Sequence, residues 1–245
     1  MKKSYLLGLG ALFLSSTLSA QLTLDVEGNY IASIPYNVVR IPSEGGTEFD
    51  LAKDLDVSTK FTFRIRASYT IAKRHVVSGL FAPLTIHSSG SFQQPVHYSE
   101  ETFEANVSTK AVYKFNSYRL TYRYLIVAND KVTFGLGLTG KVRDANITLS
   151  QGTKSSDFPD LGVVPLVNFY LLWSPVKNAS LLLEGDALAT GVGRAEDIFA
   201  GIMYRPIDQL GIKAGYRILE GGADVERNYN FTWVNYAALG VVLFL

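Results

Sequence analysis

The sequence contains no cysteine, which excludes a disulfide framework, a thiolate metal site and a lipid anchor attached through a cysteine. After the N-terminus it also lacks any apolar run of the roughly 18 residues that a membrane-spanning helix needs. Charge is scarce, since charged residues make up 18% of the chain and the net charge is +1. That balance does not indicate a nucleic-acid partner. Apolar residues do not recur with helical spacing either, so a β structure is the remaining expectation.

The first twenty residues have the features of a secretory signal peptide. Lys2 and Lys3 form a basic start, residues 5–14 form a short apolar run, and residues 15–20 are mostly small. We therefore expect residues 1–20 to be cleaved. Residues 21–245 would then form one exported domain.

Alternation of apolar and polar residues runs through the rest of the chain. In 59–71, Phe61, Phe63 and Ile65 alternate with Arg64 and Arg66. Two arginines in the middle of a strand are too many for an ordinary core. They suit a transmembrane β-barrel, in which alternate residues face lipid and a polar interior. The alternation predicts ten strands, near 22–33, 59–71, 75–90, 107–127, 132–150, 161–174, 178–189, 195–205, 210–219 and 231–245.

Two segments leave the number of strands open. The apolar face moves from odd to even positions at Asn116-Ser117, and a similar change occurs near Arg143–Ala145. Hairpins at both places would give twelve strands, whereas β-bulges at both would give ten, and eight is a further alternative. We predict ten strands with two bulges, because bulges bend long strands as barrel closure requires. The fold class is therefore an all-β, antiparallel up-and-down transmembrane barrel.

The predicted connections alternate between tight turns and longer segments, as in bacterial outer-membrane barrels. The sequence does not decide whether residues 34–57 fold inward as a plug. Aromatic residues near strand ends are expected to form girdles at the two membrane interfaces. These residues are Tyr124, Trp173, Tyr204, Tyr216, Trp233 and Tyr236. The tight turns are expected at 72–74, 128–131, 175–178 and 206–209, and the longer loops at 35–56, 88–106, 151–160, 189–195 and 220–230.

Inward-facing charge is the most informative functional signal. Basic residues cluster on the second to fifth strands, and acids on the seventh strand complement them, which predicts ion pairs that fill a narrow barrel. A small anion-preferring channel, porin-like but narrower, is the alternative. The loop near Gly221-Gly222 supplies surface candidates for binding an ion, lipopolysaccharide or a partner: Glu220, Asp224, Glu226 and Arg227. The predicted lumen charges are Arg64, Arg66, Lys110, Lys114, Arg119, Arg123, Lys141, Arg143, Glu184, Asp186, Lys213 and Arg217.

An enzymatic interpretation depends on one short motif. His87 and Ser89 have the His-x-Ser spacing of lipid A 3-O-deacylases, and i, i+2 spacing places both side chains on one face of a strand. Glu100, Glu101 or Glu104 could supply an orienting carboxylate. However, that family continues with Asn where this chain has Gly90, and the strand phase predicts that His87 faces the lumen. A lipid A-directed hydrolase is therefore a second alternative, and no catalytic residue is assigned.

Four segments together resemble a group of Gram-negative outer-membrane β-barrel proteins that have no assigned activity. They are 114-KFNSYRLTYRY-124, 141-KVRDANI-147, 193-GRAED-197 and 216-YRILEGGADVERNYNF-231. The resemblance implies a barrel in the bacterial outer membrane. Apart from the resemblance, we expect a monomer in contact with lipid and lipopolysaccharide, inserted by the barrel-assembly machinery, with no metal or other cofactor. The final alternating strand 236-YAALGVVLFL-245 resembles the strand which that machinery recognises.

Overall fold

The structure of the chain, a computed structural model, describes residues 21–245, and these fold into β-strands and connecting turns. Among them no helix has the length and apolar character needed to cross a membrane. The expected signal peptide, residues 1–20, lies outside the described residues. The strands are β1 (Gln21–Arg40), β2 (Phe49–Asp50), β3 (Leu55–Val57), β4 (Phe61–Ile71), β5 (His75–Ala82), β6 (Thr85–Gly90), β7 (Val96–Tyr98), β8 (Glu101–Phe103), β9 (Thr109–Ala128), β10 (Val132–Gln151), β11 (Lys154–Val176), β12 (Ala179–Thr190), β13 (Gly193–Ile207), β14 (Leu210–Val225) and β15 (Asn228–Phe244).

The long strands close into an antiparallel barrel. Neighbours along the chain pair with one another, and β15 pairs with β1 to close the cylinder. Strands β5 and β6 together form one side of the pairing with β9, interrupted at Pro83-Leu84. Strand β3 pairs with β6 next to the end of β4. The barrel therefore has ten strands, which confirms the predicted fold class and the preferred count.

The two ends of the barrel differ. At the end called here the turn end, the first and last strands meet, with Leu22 and Leu245 exchanging backbone hydrogen bonds of 3.3 and 2.8 Å. The predicted tight turns lie there too. The opposite end, called the loop end, carries loop one (41–60) and loop two (91–108).

The longer loops predicted at 151–160, 189–195 and 220–230 are wrong. Two-residue turns at 152–153, 191–192 and 226–227 replace them, because the strands continue towards the loop end. Gly152 has φ +58°, which a tight turn of this kind needs and which most side chains disfavour. The outward residues of these extensions are mostly polar, small or proline, so they had resembled loops.

The predicted bulges are also wrong, although the strand count was right. Strand β9 pairs with β10 in unbroken register at both Asn116-Ser117 and Arg143–Ala145, and the irregularity lies instead between Phe134 and Gly135. Odd-numbered side chains of β9 face inward along its whole length, including Tyr113 and Arg119. What changes is the character of both faces, not the phase of the strand.

This exchange of the polar and apolar faces marks the level at which the medium around the barrel changes from lipid to water. On the turn-end side of residue 117, β9 presents Leu120 and Tyr122 outward and Arg123 inward. On the loop-end side it presents Lys110 outward and Tyr113 inward. Apolar side chains on the outside suit lipid, whereas polar side chains outside an apolar core suit water. The strands therefore extend well beyond the apolar band.

The apolar band has aromatic residues near both of its edges. Towards the loop end, Tyr30 and Phe61 pack with ring centroids 5.2 Å apart. Tyr236 does not belong to a girdle, because it faces the interior and is 2% exposed. The other five predicted girdle residues lie on outward-facing positions: Tyr124, Trp173, Tyr204, Tyr216 and Trp233.

Loops one and two fold into the mouth of the barrel at the loop end and are called here the loop cap. Phe49 of loop one packs against Phe92 and Tyr98 of loop two, with ring centroids 5.3 and 5.8 Å apart. The Tyr98 hydroxyl donates to the carbonyl of Ile147 on β10 at 2.7 Å. These loops therefore form an apolar core with the inward side chains of the upper barrel, among them Val39, Ile86, Tyr113, Leu149 and Val234.

Candidate functional site

A layer of buried charge crosses the barrel at the level of the apolar band. We call this layer the septum, and all of its side chains point inward from barrel strands. It contains seven cations and five carboxylates, an excess of two positive charges within the described part of the chain. Its members are Arg64, Arg66, Arg119, Arg123, Lys141, Lys213, Arg217, Asp25, Glu27, Glu184, Asp186 and Asp197.

Asp197 is the centre of the septum. Its Oδ2 accepts from Arg64 Nη1 at 2.7 Å and from Arg119 Nη2 at 2.5 Å. Its Oδ1 accepts from Arg217 Nη1 at 2.7 Å. The side chain is 2% exposed, so three guanidinium groups from three strands converge on one carboxylate without water between them. Such an arrangement stabilises a charge that would otherwise be very costly to bury.

Glu27 and Glu184 extend this network around the lumen. Glu27 accepts from Arg217 Nε at 2.7 Å and forms an ion pair with Lys213 Nζ at 2.8 Å. Glu184 accepts from Arg66 Nη1 at 2.5 Å. Lys213 also donates to Asp25 at 2.6 Å. The first strand therefore supplies two acids to the lumen, Asp25 and Glu27.

Neutral polar groups supply the remaining hydrogen bonds to Asp186 of β12. Asp186 accepts from Arg119 Nη1 at 2.7 Å, from Thr139 Oγ1 at 2.6 Å and from Asn168 Nδ2 at 2.8 Å. Both oxygens of this carboxylate are thus satisfied while the residue is 2% exposed. A buried network that is satisfied in this way holds its side chains in one arrangement.

Two cations, Lys141 and Arg123, have no carboxylate within 4.0 Å among residues 21–245. Lys141 Nζ lies 4.6 Å from the centroid of the Phe115 ring, and Arg123 Cζ lies 4.3 Å from that of Tyr170. Phe115 is on the loop-end side of Lys141, and Tyr170 is on the turn-end side of Arg123. The two cations without a carboxylate therefore lie at opposite faces of the septum, and Arg123 Nη1 also donates to Asn168 Oδ1 at 3.4 Å.

A cavity lies on each side of the septum. The cavity at the loop end has a volume of about 220 Å³ and is lined by Phe115, Lys141 and Leu188 among others. The cavity at the turn end has a volume of about 570 Å³, and Arg123 and Tyr170 line it. Two cavities among the septum residues measure only about 20 and 10 Å³, which is room for about one water molecule each.

Two of the predicted lumen charges are placed wrongly. Lys110 and Lys114 occupy even positions of β9 and lie on the outside of the barrel, where Lys114 Nζ pairs with Asp144 at 2.7 Å. A hydrogen bond from Lys114 lowers the pKa of the Asp144 carboxyl. The error follows from the assumed bulge, which had inverted the phase of this segment. The other ten lie inside the barrel. Among them, Arg143 lies on the loop-end side of the septum and pairs with Asp160 at 2.5 Å.

The four surface-loop candidates do not lie in one loop. Glu220 lies in β14 on an outward position but is 8% exposed, because Arg194 and Tyr36 cover it. Arg194 Nη2 lies 2.7 Å from Glu220 Oε1. Asp224 is also in β14 and accepts from Ser43 at 3.4 Å. Only Glu226 and Arg227 form the two-residue turn.

Asp197 is the most important residue that the sequence analysis missed. It lies near the start of the strand predicted at 195–205, but it was not counted among the lumen charges. The signal was nevertheless present, because Ile198, Ala200 and Ile202 alternate from this point and place Asp197 on the inward face. The covered pair of Arg194 and Glu220 was missed because both residues had been assigned to loops.

The His-x-Ser pair faces the opposite way from the prediction. Ile86 and Ser88 point into the barrel, so His87 and Ser89 are exposed on the outside. The expectation that His87 faces the lumen is wrong, while the expectation that both side chains share a face is right. Within residues 21–245 no hydrogen bond joins the two side chains.

Comparison with known proteins finds outer-membrane barrels of low similarity. The attachment invasion locus protein Ail of Yersinia pestis is 13% identical, with 92% of this chain and 99% of that chain covered and a TM-score of 0.39. The outer-membrane protease OmpT of Escherichia coli is 8% identical over 95% and 99%, with a TM-score of 0.48. The toluene transporter TodX of Pseudomonas putida is 9% identical over 92% and 89%, with a TM-score of 0.32.

No family model and no curated protein sequence matches the chain. Membership of the group that the four segments resemble therefore stays an expectation. Because all three TM-scores lie below 0.5, these likenesses do not bear on what the protein does. Its function has to be argued from its own geometry.

Proposed function

We propose that the protein is a β-barrel of the bacterial outer membrane with a sealed lumen, and that its role is structural or surface-interacting. The septum carries this proposal. An open pore needs a continuous path of water, whereas the small cavities within the septum hold about one water each. Opening such a path would separate ion pairs of about 2.5–2.8 Å that are shielded from solvent.

The apolar band supports the location. On β9 it runs from Tyr118 to Ile126, nine residues, which is about the length of a tilted transmembrane strand. Leu120 and Leu138 are 67% and 70% exposed there, as lipid-facing residues would be. The expected partners are lipid and lipopolysaccharide around this band, with the assembly machinery acting on β15 during insertion. The barrel would be a monomer with its turn end in the periplasm.

Labelling of single cysteines on whole cells tests the location and the orientation. The chain has no cysteine of its own, so each variant has one reactive thiol. We expect Arg227→Cys, in a turn at the loop end, to react with a membrane-impermeant maleimide on intact cells. Asp130→Cys, in a turn at the other end, is the matched control and should react only after the outer membrane is broken. The reverse pattern, or equal labelling of both, would contradict the proposed orientation.

An anion-preferring channel is the second candidate, because the septum has two positive charges in excess. If the septum opened, those cations would face the passing solute. Swelling of proteoliposomes in isotonic arabinose, an uncharged solute, distinguishes a sealed lumen from an open channel. We expect the same rate of swelling as in protein-free liposomes, and faster swelling would favour a pore. The proposal assigns no catalytic activity to the barrel, including the His87 and Ser89 pair.

A further inference from the structure

We propose that the 220 Å³ cavity at the loop end binds a small amphipathic carboxylate, with the ammonium of Lys141 receiving the carboxylate group. This binding site goes beyond the sealed barrel proposed above. It depends only on the fold of the upper barrel and the loop cap. A failure to bind would leave the proposals of location and sealing unchanged.

Lys141 is buried and unpaired. It is 3% exposed, and within residues 21–245 its ammonium has neither a carboxylate within 4.0 Å nor a hydrogen-bond partner. A buried cation without a partner carries a large desolvation cost. The Phe115 ring compensates part of that cost through a cation–π contact at 4.6 Å. An anion in the cavity would compensate it much better.

The other charged side chains that line this cavity are already paired. Arg143 pairs with Asp160 at 2.5 Å, and Arg194 pairs with Glu220 at 2.7 Å. Lys141 is therefore the one lining cation of the described chain that a ligand can neutralise. One available positive charge fits one carboxylate and not a polyanion.

Lys141 points towards the loop end of the barrel. Its strand neighbours at the same level are Arg119 and Val164, in the plane of the septum. Its Nζ instead lies over the ring of Phe115, which pairs with Ala145, four residues further towards the loop end. The side chain thus extends out of the septum and into the cavity. It lies where a ligand entering from the loop end would meet it.

The rest of the lining selects the body of the ligand. The walls of the cavity also carry the apolar side chains of Val164, Leu188 and Leu219, and Gly221 and Gly222 add no side chain to them. The loop cap fills the side of the mouth near β1 and β9, so the cavity remains open between β10 and β15. Its volume lies below the roughly 300–1,000 Å³ typical of sites for drug-sized ligands. The ligand is therefore a small organic acid with an apolar body.

Ligand-observed ¹⁹F NMR with 4-fluorobenzoate tests the proposal on the full folded protein in detergent-free nanodiscs. Its neutral partner, 4-fluorobenzamide, has nearly the same shape and no charge. We expect saturable binding of the acid and weaker binding of the amide, by about tenfold or more, which is the usual worth of a hydrogen bond to a charged group. Equal binding of acid and amide, or no saturable binding of the acid, would overturn the proposal.

Two variants locate the site. Lys141→Met keeps the length of the side chain and removes its charge, so affinity for 4-fluorobenzoate should fall about tenfold or more. Lys110→Met makes the same change on the outside of β9 and should leave affinity unchanged. Leu188→Trp fills the cavity with Lys141 intact, and should abolish binding even if Lys141→Met fails to fold. Unchanged affinity in folded Lys141→Met or in Leu188→Trp would show that the acid binds elsewhere.

Discussion

Neutralising Asp197 is the most informative perturbation of the septum. Asp197→Asn keeps the shape of the side chain but removes the charge on which Arg64, Arg119 and Arg217 converge at 2.5–2.7 Å. The excess of positive charge in the septum would rise from two to three. Removing one partner from a buried ion pair costs about 3–5 kcal/mol, mostly because the remaining charge is left uncompensated. Since three guanidinium groups lose their shared acceptor, we expect the upper part of that range.

Equilibrium unfolding by urea in lipid vesicles measures this loss of free energy. Asp160→Asn is the matched control, because Asp160 pairs with a single arginine at the mouth and its side chain is 30% exposed. The control should lose about 0–1 kcal/mol, as partly exposed pairs do. If the two variants differ by less than about 1 kcal/mol, a value typical of exposed pairs, the septum does not hold the barrel together as argued here.

Two other predictions test the apolar band and the loop cap. Leu138→Arg, on the outside of the band, should destabilise the barrel in lipid by about 2–4 kcal/mol, as measured by urea unfolding. Val112→Arg, beyond the band on β9, should cost only about 0–1 kcal/mol. Equal losses in the two variants would show that the edge of the apolar band does not lie between these residues. Tyr98→Phe removes the hydrogen bond to Ile147 and should weaken the cap by about 1 kcal/mol, measured as faster proteolysis of loop two. Burial raises the pKa of Tyr98, so the stability that its neutral phenol gives the cap is present below the ordinary tyrosine pKa of about 10 and falls as the pH rises above it. Proteolysis should accelerate above that pH in the wild type and less so in Tyr98→Phe, and an identical pH dependence in both would refute the assignment.

The barrel itself could be predicted from the sequence because one physical pattern determines it. Lipid outside and a polar layer inside force strict alternation, which Phe63 with Arg64 and Leu120 with Arg119 display clearly. The number of strands followed from counting such segments. Within the band the prediction of inward and outward faces was therefore reliable.

The prediction failed where the surroundings of the strands change. Beyond the band, water replaces lipid outside and the loop cap replaces the septum inside, so the apolar face of β9 changes sides without any shift in its register with β10 at that point. Lys110 and Lys114 were misplaced for this reason, and the strand extensions near Asp160 and Glu220 were taken for loops. The loop cap could not be foreseen, because contacts such as that of Phe49 with Phe92 join residues far apart in the chain.

Conductance of the purified wild-type protein in a planar lipid bilayer tests the central claim, that the septum seals the lumen. Folding is checked beforehand by the shift in gel mobility on heating. With folded protein in the bilayer we expect no discrete current steps in symmetric salt. Reproducible steps with preference for anions would contradict the sealed lumen and make the septum cations the lining of a channel.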